Sequence, residues 1–496
     1  MCLRDHGVTD KNMNKVRLRF APSPTGFLHI GNLRSALFGY FLAKSMDGDF
    51  ILRIEDTDQK REVEGAVDSL LNIFSWIGID FDEGPHISGN YGPYTQTERL
   101  DIYQKYIKEL LDKGEAYYCF CSSERLDDMR QKQQENKEAP KYDRHCRDLS
   151  KEEIEEKIKN GEKFVIRQKI PMNCCVEVYD ELRGKIIFKS EDLDDHVLIK
   201  SNGVPTYQFA NIVDDHLMEI SHVTRGDEWL ASFPKNALLY KSFGWEMPKY
   251  IHLPLILNKG GGKLSKRQGD VFVEDYRNKG YLPEAIVNFC AFLGWHPKDD
   301  QEILSMKEII EKFSLDGMGV SPAVFDLEKL DYLNGHYIRQ KNVKELSDLC
   351  KPYLLKEGLI TEKSKDEDIY KTIEISQERL KKLEDIASFT HYLFMDDIVY
   401  DVELLIWKSL TLGDVKKNLL EIYSVLDKVK ESDWTKECLE NLVFAYLKES
   451  DKKNGDYLWP LRVSLSGQKN SPSPFELAYV LGKEKTLKRV EKAVQS

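Results

Sequence analysis

Alternating apolar and polar positions open the chain. Val16, Leu18 and Phe20 alternate with Arg17 and Arg19, the period-2 pattern of a strand with one face buried. Pro22, Pro24 and Gly26 then punctuate a loop, and from Asn32 the apolar residues Leu33, Ala36, Leu37, Tyr40 and Phe41 recur at helical spacing. A second strand is predicted over 50–54, running into Glu55-Asp56-Thr57-Asp58. An amphipathic helix follows, with Val63, Val67, Leu70, Leu71 and Phe74 on one face. Strand, helix, strand, helix is the signature of a parallel α/β sheet, whose ligands gather at the carboxyl ends of the strands.

Between residues 100 and 205 the texture changes. Cys119 and Cys121 precede a charged helical stretch over 124–137, and short strand-like runs follow at 164–170 and 197–200. From Val204 the α/β character resumes, through Ile212, His222 to Thr224 and the apolar run 250–257. Beyond about residue 341 the chain is rich in Leu, Lys and Glu with helical periodicity, as in 415–429 and 437–447, and predicts an all-helical region. There is no internal repeat, low-complexity tract or sustained heptad.

Composition narrows the class. At ~150 residues per domain the chain suggests about three domains. Its 41% hydrophobic and 31% charged residues fit a globular protein rather than a disordered or fibrous one. No apolar run approaches the ~18 residues of a membrane span, so no integral membrane protein is expected. Residues 1–14 mix charges without an apolar core; they predict a disordered extension rather than a secretory signal, with Met13 as an alternative start. Nine scattered cysteines do not form a secreted disulfide framework, and a reducing cytoplasm is expected.

The net charge of −12 argues at first sight against a nucleic-acid partner, since phosphates favour a basic footprint. The distribution is uneven, however. Residues 451–496 hold 9 Lys+Arg against 5 Asp+Glu, a local +4 that leaves −16 on the other 450. A polyanion needs a basic track rather than a basic protein, and an acidic remainder disfavours indiscriminate binding. Positive potential is expected from the 263–267 loop to the C-terminal helices.

The chain carries no GxxxxGK[ST], HExxH or GxSxG motif. Gly260-Gly261-Gly262-Lys263 resembles a phosphate loop only superficially, because Leu264 stands where Ser or Thr belongs. A Gly-rich loop bearing Lys263, Ser265, Lys266 and Arg267 can still close over a polyphosphate and stabilise developing charge. Taken alone, it reads sooner as a solvated basic turn. Its counterpart lies in the first loop, Pro22-Ser23-Pro24-Thr25-Gly26-Phe27-Leu28-His29-Ile30-Gly31, which joins a strand to a helix N-terminus. Backbone N–H groups and the helix dipole make such a junction an anion site. There His29 can donate to a phosphate oxygen, and Gly31 lets a flat base approach the backbone.

Together the two segments resemble the HIGH and KMSKS signatures of class I aminoacyl-tRNA synthetases. The surrounding residues are more specific. Arg19-Phe20-Ala21-Pro22-Ser23-Pro24-Thr25-Gly26, Arg53-Ile54-Glu55-Asp56-Thr57-Asp58, Tyr207-Gln208-Phe209-Ala210-Asn211 and Thr224-Arg225-Gly226-Asp227-Glu228 resemble the bacterial glutamyl-tRNA synthetase family. So do Ser321-Pro322-Ala323-Val324-Phe325-Asp326, Leu333-Asn334-Gly335-His336-Tyr337-Ile338, Pro460-Leu461-Arg462 and Leu481-Gly482-Lys483-Glu484, so the likeness spans nearly the whole chain after Lys15. Asn32 replaces the last His of the first signature. Leu264 and Arg267 vary the second, which keeps Lys263, Ser265 and Lys266.

The resemblance implies a Rossmann-type parallel-sheet catalytic domain with an α/β insertion, followed by an all-helical anticodon-binding region. It implies this division: catalytic halves at 15–100 and 206–267, an acceptor-end-binding insertion at 101–205, a stem-contact domain at 268–340 and the anticodon-binding region at 341–496. It places Arg19, Ser23, Glu55, Tyr207, Asn211 and Arg225 in a glutamate pocket. Their chemistry suits one ammonium and two carboxylates: Glu55 for the ammonium, Ser23 for a hydrogen bond and the arginines for the carboxylates. Such a pocket rejects glutamine by leaving a cation unpaired, so no editing site is expected. Pro24, Thr25, Gly26, His29, Gly31, Glu228, Lys263, Ser265 and Lys266 are implied ATP contacts, with His29, Lys263, Lys266 and Mg2+ in the chemistry. The implied partners are L-glutamate, ATP and tRNA(Glu), and a monomer is expected.

Some members of this family bind zinc in the insertion through C-x-C-x24-C-x-His. Cys119, Cys121 and Cys146 match in identity and spacing, and Asp148 stands at the fourth position. Zn2+ accepts an Asp oxygen, and His145 is a nearby substitute. Adjacent Cys174 and Cys175 are expected to be core or strand residues. Other functions stay open. Glutaminyl-tRNA synthetases share the catalytic fold but carry β-barrel anticodon modules. A shorter relative that glutamylates a modified tRNA nucleoside lacks the C-terminal region. A small-molecule nucleotidylyltransferase needs no helical half, and a non-enzymatic RNA-binding module needs neither signature.

Overall fold

The computed structural model describes residues 15–87, 89–264 and 271–495. The expectations for residues 1–14 and for Ser265, Lys266 and Arg267 lie outside them. Two compact units divide the chain. The first runs through Tyr276 and includes Ile286–Asp326; the second comprises Arg277–Ala285 and Leu327–Ser496.

The first unit opens with β1 (Arg17–Phe20), α1 (Ile30–Ser45) and β2 (Asp49–Leu52), and β1 pairs parallel with β2 from Arg17↔Asp49 to Phe20↔Leu52. α1 buries residues on most of its faces, including Leu33, Leu37, Phe38, Phe41 and Leu42, as a helix packed on several sides must. β1 departs from the one-sided expectation. Arg17 and Arg19 are each only 5% exposed, because carboxylates meet both. Period-2 alternation marked the strand correctly, but the polar positions face a buried charge network rather than water. α2 (Ala66–Ile77) begins after Val63, which is exposed, and its apolar face is Ala66, Leu70, Ile73, Phe74 and Ile77.

The next elements are α3 (Leu100–Asp112), β3 (Ala116–Cys119), α4 (Ser123–Glu135), α5 (Lys151–Lys159), β4 (Val165–Gln168), β5 (Cys175–Asp180), β6 (Gly184–Lys189) and β7 (Val197–Ile199). Then come α6 (Tyr207–Leu217), β8 (His222–Gly226), α7 (Phe233–Phe243), β9 (Lys249–Leu253), β10 (Ile256–Asn258) and β11 (Ala323–Phe325). β8 and β9 pair in parallel, and β5 joins β9 in parallel through Asp180↔Tyr250. β6 closes that edge antiparallel to β5. The Ser221 N–H donates to Arg17 O, bringing the start of β8 beside β1. β5 and β6 lie within 101–205 yet hydrogen-bond into the sheet of β8 and β9. In the same stretch, β3, β4 and β7 form a separate antiparallel sheet over a core that includes Tyr103, Ile107, Leu110, Phe209 and Leu239.

From Leu327 onward every regular element among the described residues is helical. The stretches expected at 415–429 and 437–447 are helices Leu412–Leu426 and Lys436–Glu449. Thr411 and Asp414 cap the first reciprocally, satisfying N–H groups that a bare helix start leaves open. Leu419, Ile422, Leu439, Val443, Leu461 and Val490 meet in this unit's core. Among the described residues no helix is long and apolar enough to cross a membrane.

Candidate active site

The loop after β1 delivers His29 to the N-cap of α1, where its Nδ1 accepts the Gly31 N–H at 3.0 Å. In a neutral ring that contact puts the proton on Nε2, the tautomer able to donate to an oxyanion. A Cβ at Gly31 would lie 3.3 Å from that Nδ1, so glycine keeps the cap uncrowded. No acidic residue occupies the first turn of α1, so no carboxylate of that turn competes with an anion for the positive end of its dipole. Ser23, Thr25 and Gly26 are exposed on the preceding loop and Pro24 is buried.

Tertiary pairing brings the flanks of the distant Gly-rich loop to this point. The Ile30 N–H donates to Val271 O and the Val273 N–H to Leu28 O, an antiparallel bridge around His29 and Phe272. On the other flank, β10 folds back through a bridge from Leu257 to Lys263, with Gly261 and Gly262 at φ +84° and +81°, the left-handed conformation that glycine adopts freely. Lys263 is exposed and its Nζ lies 3.7 Å from Glu228 Oε1. Ser265 and Lys266 fall outside the described residues.

The residues proposed for an amino-acid pocket come from four elements: Arg19 from β1, Glu55 after β2, Tyr207 and Asn211 from α6, and Arg225 from β8. Glu55 is 2% exposed. Its Oε1 accepts from Arg53 at 3.0 Å and from Asn211 Nδ2 at 3.1 Å, while its buried Oε2 has no hydrogen-bond partner among the described residues. Burial raises the Glu55 pKa against the opposing pull of Arg53, Arg19 and Asn211. Tyr207 packs against Trp229 with tilted rings, their centroids 4.7 Å apart, and burial, then Glu55, push its hydroxyl up to about 12. Asn211 thus touches Glu55 directly, whereas Ser23 lies on the exposed loop.

Beneath the pocket lies a charge network that residue-by-residue reading missed. Arg19 makes a two-pronged contact with Asp215, at 2.9 and 3.3 Å, and Arg53 reaches the same carboxylate at 2.8 Å. Asp214 beside it accepts from Arg99, Tyr103 and Gln96. Burial works to raise the Asp215 pKa, but Arg19 and Arg53 outweigh it and hold the carboxyl below its usual range. A signal for these residues exists in the sequence. Tyr207, Asn211, Asp214 and Asp215 recur at i, i+4, i+7 and i+8, one face of a helix, and Arg53 and Glu55 stand two residues apart just past β2, a spacing that turns extended side chains to one side.

A second cluster sits at the end of β3. Cys119, Cys121 and Cys146 place their sulfurs within 4.8 Å of one another. Asp148 is outside it: its carboxylate is 88% exposed and faces Lys169 at 4.0 Å. His145 is likewise exposed. The oxygen beside the sulfurs belongs to Tyr142, whose Oη lies 3.2 Å from Cys119 Sγ and 3.4 Å from Cys121 Sγ. Arg167 stacks on that ring at 3.8 Å. The Cys119 thiol is shifted down, first by its contact with Cys146, whose own thiol is shifted up in turn. Cys174 is half-buried and Cys175 is exposed in β5, so neither is a core residue.

Comparison with known proteins agrees with this architecture. The family model described as tRNA synthetases class I (E and Q), catalytic domain, matches residues 15–332, and an anticodon binding domain matches 345–494. A glutamate–tRNA ligase of Clostridium tetani is 47% identical over 487 residues, covering 98% of each chain. One of Clostridioides difficile is 46% identical over 491 residues, covering 96% of this chain and 98% of the relative. The crystal structure of a glutamate-tRNA synthetase from Elizabethkingia anophelis superposes with a TM-score of 0.90 at 35% identity, covering 97% of this chain and 100% of that one. A helix-capping His29 beside the flanks of a basic loop, a parallel sheet and a helical C-terminal unit thus accompany full-length similarity, and the chain belongs to the class I tRNA synthetases of the E and Q type, among the bacterial glutamate–tRNA ligases.

Proposed function

We propose that this chain activates L-glutamate with ATP as glutamyl-adenylate and transfers the glutamyl group to the 3′-terminal adenosine of tRNA(Glu). The observation that carries the reading is Glu55 Oε2, a buried carboxylate oxygen with no hydrogen-bond partner among the described residues. A buried acceptor left open costs about 1–3 kcal/mol, more for a charged group, and an ammonium ion would offset that cost. Arg19 and Arg225 both pull the Tyr207 pKa down against burial and Glu55, so two cations act on the same hydroxyl. An ammonium and two carboxylates on one small molecule complete the set, and Ser23, Tyr207 and Asn211 are assigned to the same molecule.

The chemistry then requires little acid–base work. The α-carboxylate is ionised at neutral pH. Its oxygen bonds to the α-phosphorus of ATP as the bond to pyrophosphate breaks. Positioning and charge stabilisation therefore carry the catalysis. His29, with its proton on Nε2, Lys263 and Lys266 are the groups assigned to the phosphates; Pro24, Thr25, Gly26, Gly31, Glu228 and Ser265 are assigned to the rest of the nucleotide. Mg2+ bound with the nucleotide would supply charge neutralisation on the triphosphate, beside the donor groups of His29, Lys263 and Lys266. In the second step the tRNA 2′-hydroxyl attacks the glutamyl carbonyl and AMP leaves, while the helical unit serves the anticodon.

The sulfur cluster fits Zn2+, which favours tetrahedral thiolate sites. Cys119, Cys121 and Cys146 would hold it with Tyr142 Oη in the fourth direction, and the ion would tie β3 to the loop before α5. Pyrophosphate exchange with glutamate, glutamine or neither, with and without tRNA, tests the main reading. Glutamate-dependent exchange that requires tRNA supports it. Exchange driven by glutamine, or by a substrate that is not an amino acid, overturns it.

A further inference from the structure

The two arginines of the pocket are held in electrically opposite ways. Arg19 spends its charge on the Asp215 carboxylate. Arg225 is buried, at 6% exposed, yet among the described residues none of its partners is a carboxylate. Its Nε donates to His252 Nε2 at 3.1 Å, and one terminal nitrogen donates to Trp229 O at 2.8 Å and Ser232 Oγ at 3.0 Å. The other terminal nitrogen reaches the amide oxygen of Asn236 at 3.2 Å once that amide is turned to satisfy its neighbours. Every partner is a neutral acceptor.

His252 can play this part only in one protonation state. Its Nε2 must offer a lone pair, so the ring proton must sit on Nδ1. Asp180, wholly buried at the end of β5, enforces that. Its Oδ2 accepts from His252 Nδ1 at 2.8 Å and from the His252 N–H at 3.0 Å. Its Oδ1 accepts the Leu182 and Arg183 N–H groups at 3.1 and 3.0 Å, so the carboxylate cannot turn away. Burial lowers the His252 pKa, and the neighbouring Arg225 cation adds to that, against the pull of Asp180 and Asp227.

We propose that Asp180 and His252 are positioning residues that aim Arg225 without neutralising it, so that this arginine keeps a full charge for an anionic substrate side chain. The inference rests on the reading that Arg225 meets the glutamate side-chain carboxylate. A carboxylate in place of the imidazole would hold the guanidinium equally well but would already have satisfied its charge. The neutral holder is what makes the site costly for glutamine, because a buried cation would stay unpaired.

Two substitutions separate positioning from packing. His252→Asn keeps a donor toward Asp180 but cannot reach Arg225; His252→Gln places an amide oxygen near the lost Nε2. Losing a hydrogen bond to a charged group changes affinity by about 10- to 150-fold. H252N is expected to raise the KM for glutamate by that factor, leave the KM for ATP near its original value and narrow the preference for glutamate over glutamine. H252Q is expected to recover most of the loss. A folded H252N enzyme with an unchanged glutamate KM, or equal shifts for glutamate and ATP in both variants, overturns the proposal. Nitrogen NMR of the wild-type protein gives a readout independent of variant folding: a His252 ring protonated on Nδ1 supports the assignment, and a proton on Nε2 overturns it. Arg225→Gln distinguishes the underlying reading. If it leaves the glutamate KM unmoved, the pocket assignment fails; if it raises that KM while H252N does not, only the positioning role fails.

Discussion

Replacing Glu55 with Gln isolates the charge on which the pocket depends. Glutamine keeps the volume, and its Oε1 can still accept from Arg53 and Asn211, which now stand at 3.0 and 3.1 Å. Its amide nitrogen, however, takes the place of Oε2 and presents N–H groups where an ammonium would come. The substitution therefore removes a charge-assisted contact of ~1.5–3 kcal/mol. That corresponds to about 10- to 150-fold in affinity for glutamate. The fold has less at stake, because Arg53 retains Asp215 at 2.8 Å and Asp214 at 3.7 Å. The assay is tRNA-dependent pyrophosphate exchange with glutamate and ATP varied separately, together with denaturant unfolding of the same preparations. The expected result is a large rise in the glutamate KM, an ATP KM near its starting value and a small loss of stability. A folded E55Q enzyme whose glutamate KM is unchanged, or whose two KM values rise in step, would refute the reasoning.

Acidification should act at the same residue. The folded-state pKa of Glu55 is raised by burial, so Glu55 takes up its proton at higher pH than an ordinary glutamate, and the glutamate KM should rise as pH falls through that value. The stability effect has the opposite sign: the group's relative contribution is present below its unfolded pKa and lost as pH rises through the folded one. The E55Q KM profile should lack the inflection, and an identical profile would count against the assignment. Asp215→Ala should destabilise the first unit by ~3–5 kcal/mol, because it strips the shared anion from buried Arg19 and Arg53. Denaturant unfolding measures this, and an unmoved midpoint would contradict it. Elemental analysis should find about one zinc per chain in the wild-type protein and in Asp148→Ala, with less in Cys146→Ser and Tyr142→Phe. Zinc lost in D148A but kept in Y142F would reverse the choice of fourth donor.

Much of the architecture was legible because it is written locally. Period-2 alternation at 16–20, helical spacing from Leu33, and the Leu- and Lys/Glu-rich tail all report which face of an element is buried, and a single stretch of chain suffices to display that. The same logic failed where polar residues are inside. Arg17 and Arg19 look like a solvated strand face until Glu83 and Asp215, brought in from 66 and 196 residues away, turn that face into a buried ion-pair layer. Val63 fits the helical spacing but precedes the helix, which starts beyond Gly65.

The sequence by itself determined the strand–helix order, the helical C-terminal region, the two signature loops and the residue types of the pocket, since each follows from spacing or side-chain chemistry. Packing alone decided which partners those side chains meet. It joined β5 to β9, so that Asp180 stands under His252, 72 residues away. It set the flanks of the Gly-rich loop against His29, left Asp148 in solvent and put Tyr142 among the cysteines. Most of all, it decided that Arg19 spends its charge on Asp215 while Arg225 keeps its own. That difference depends on distances of about 3 Å between segments far apart in the chain and on the exclusion of water around them, and neither is encoded in any local pattern.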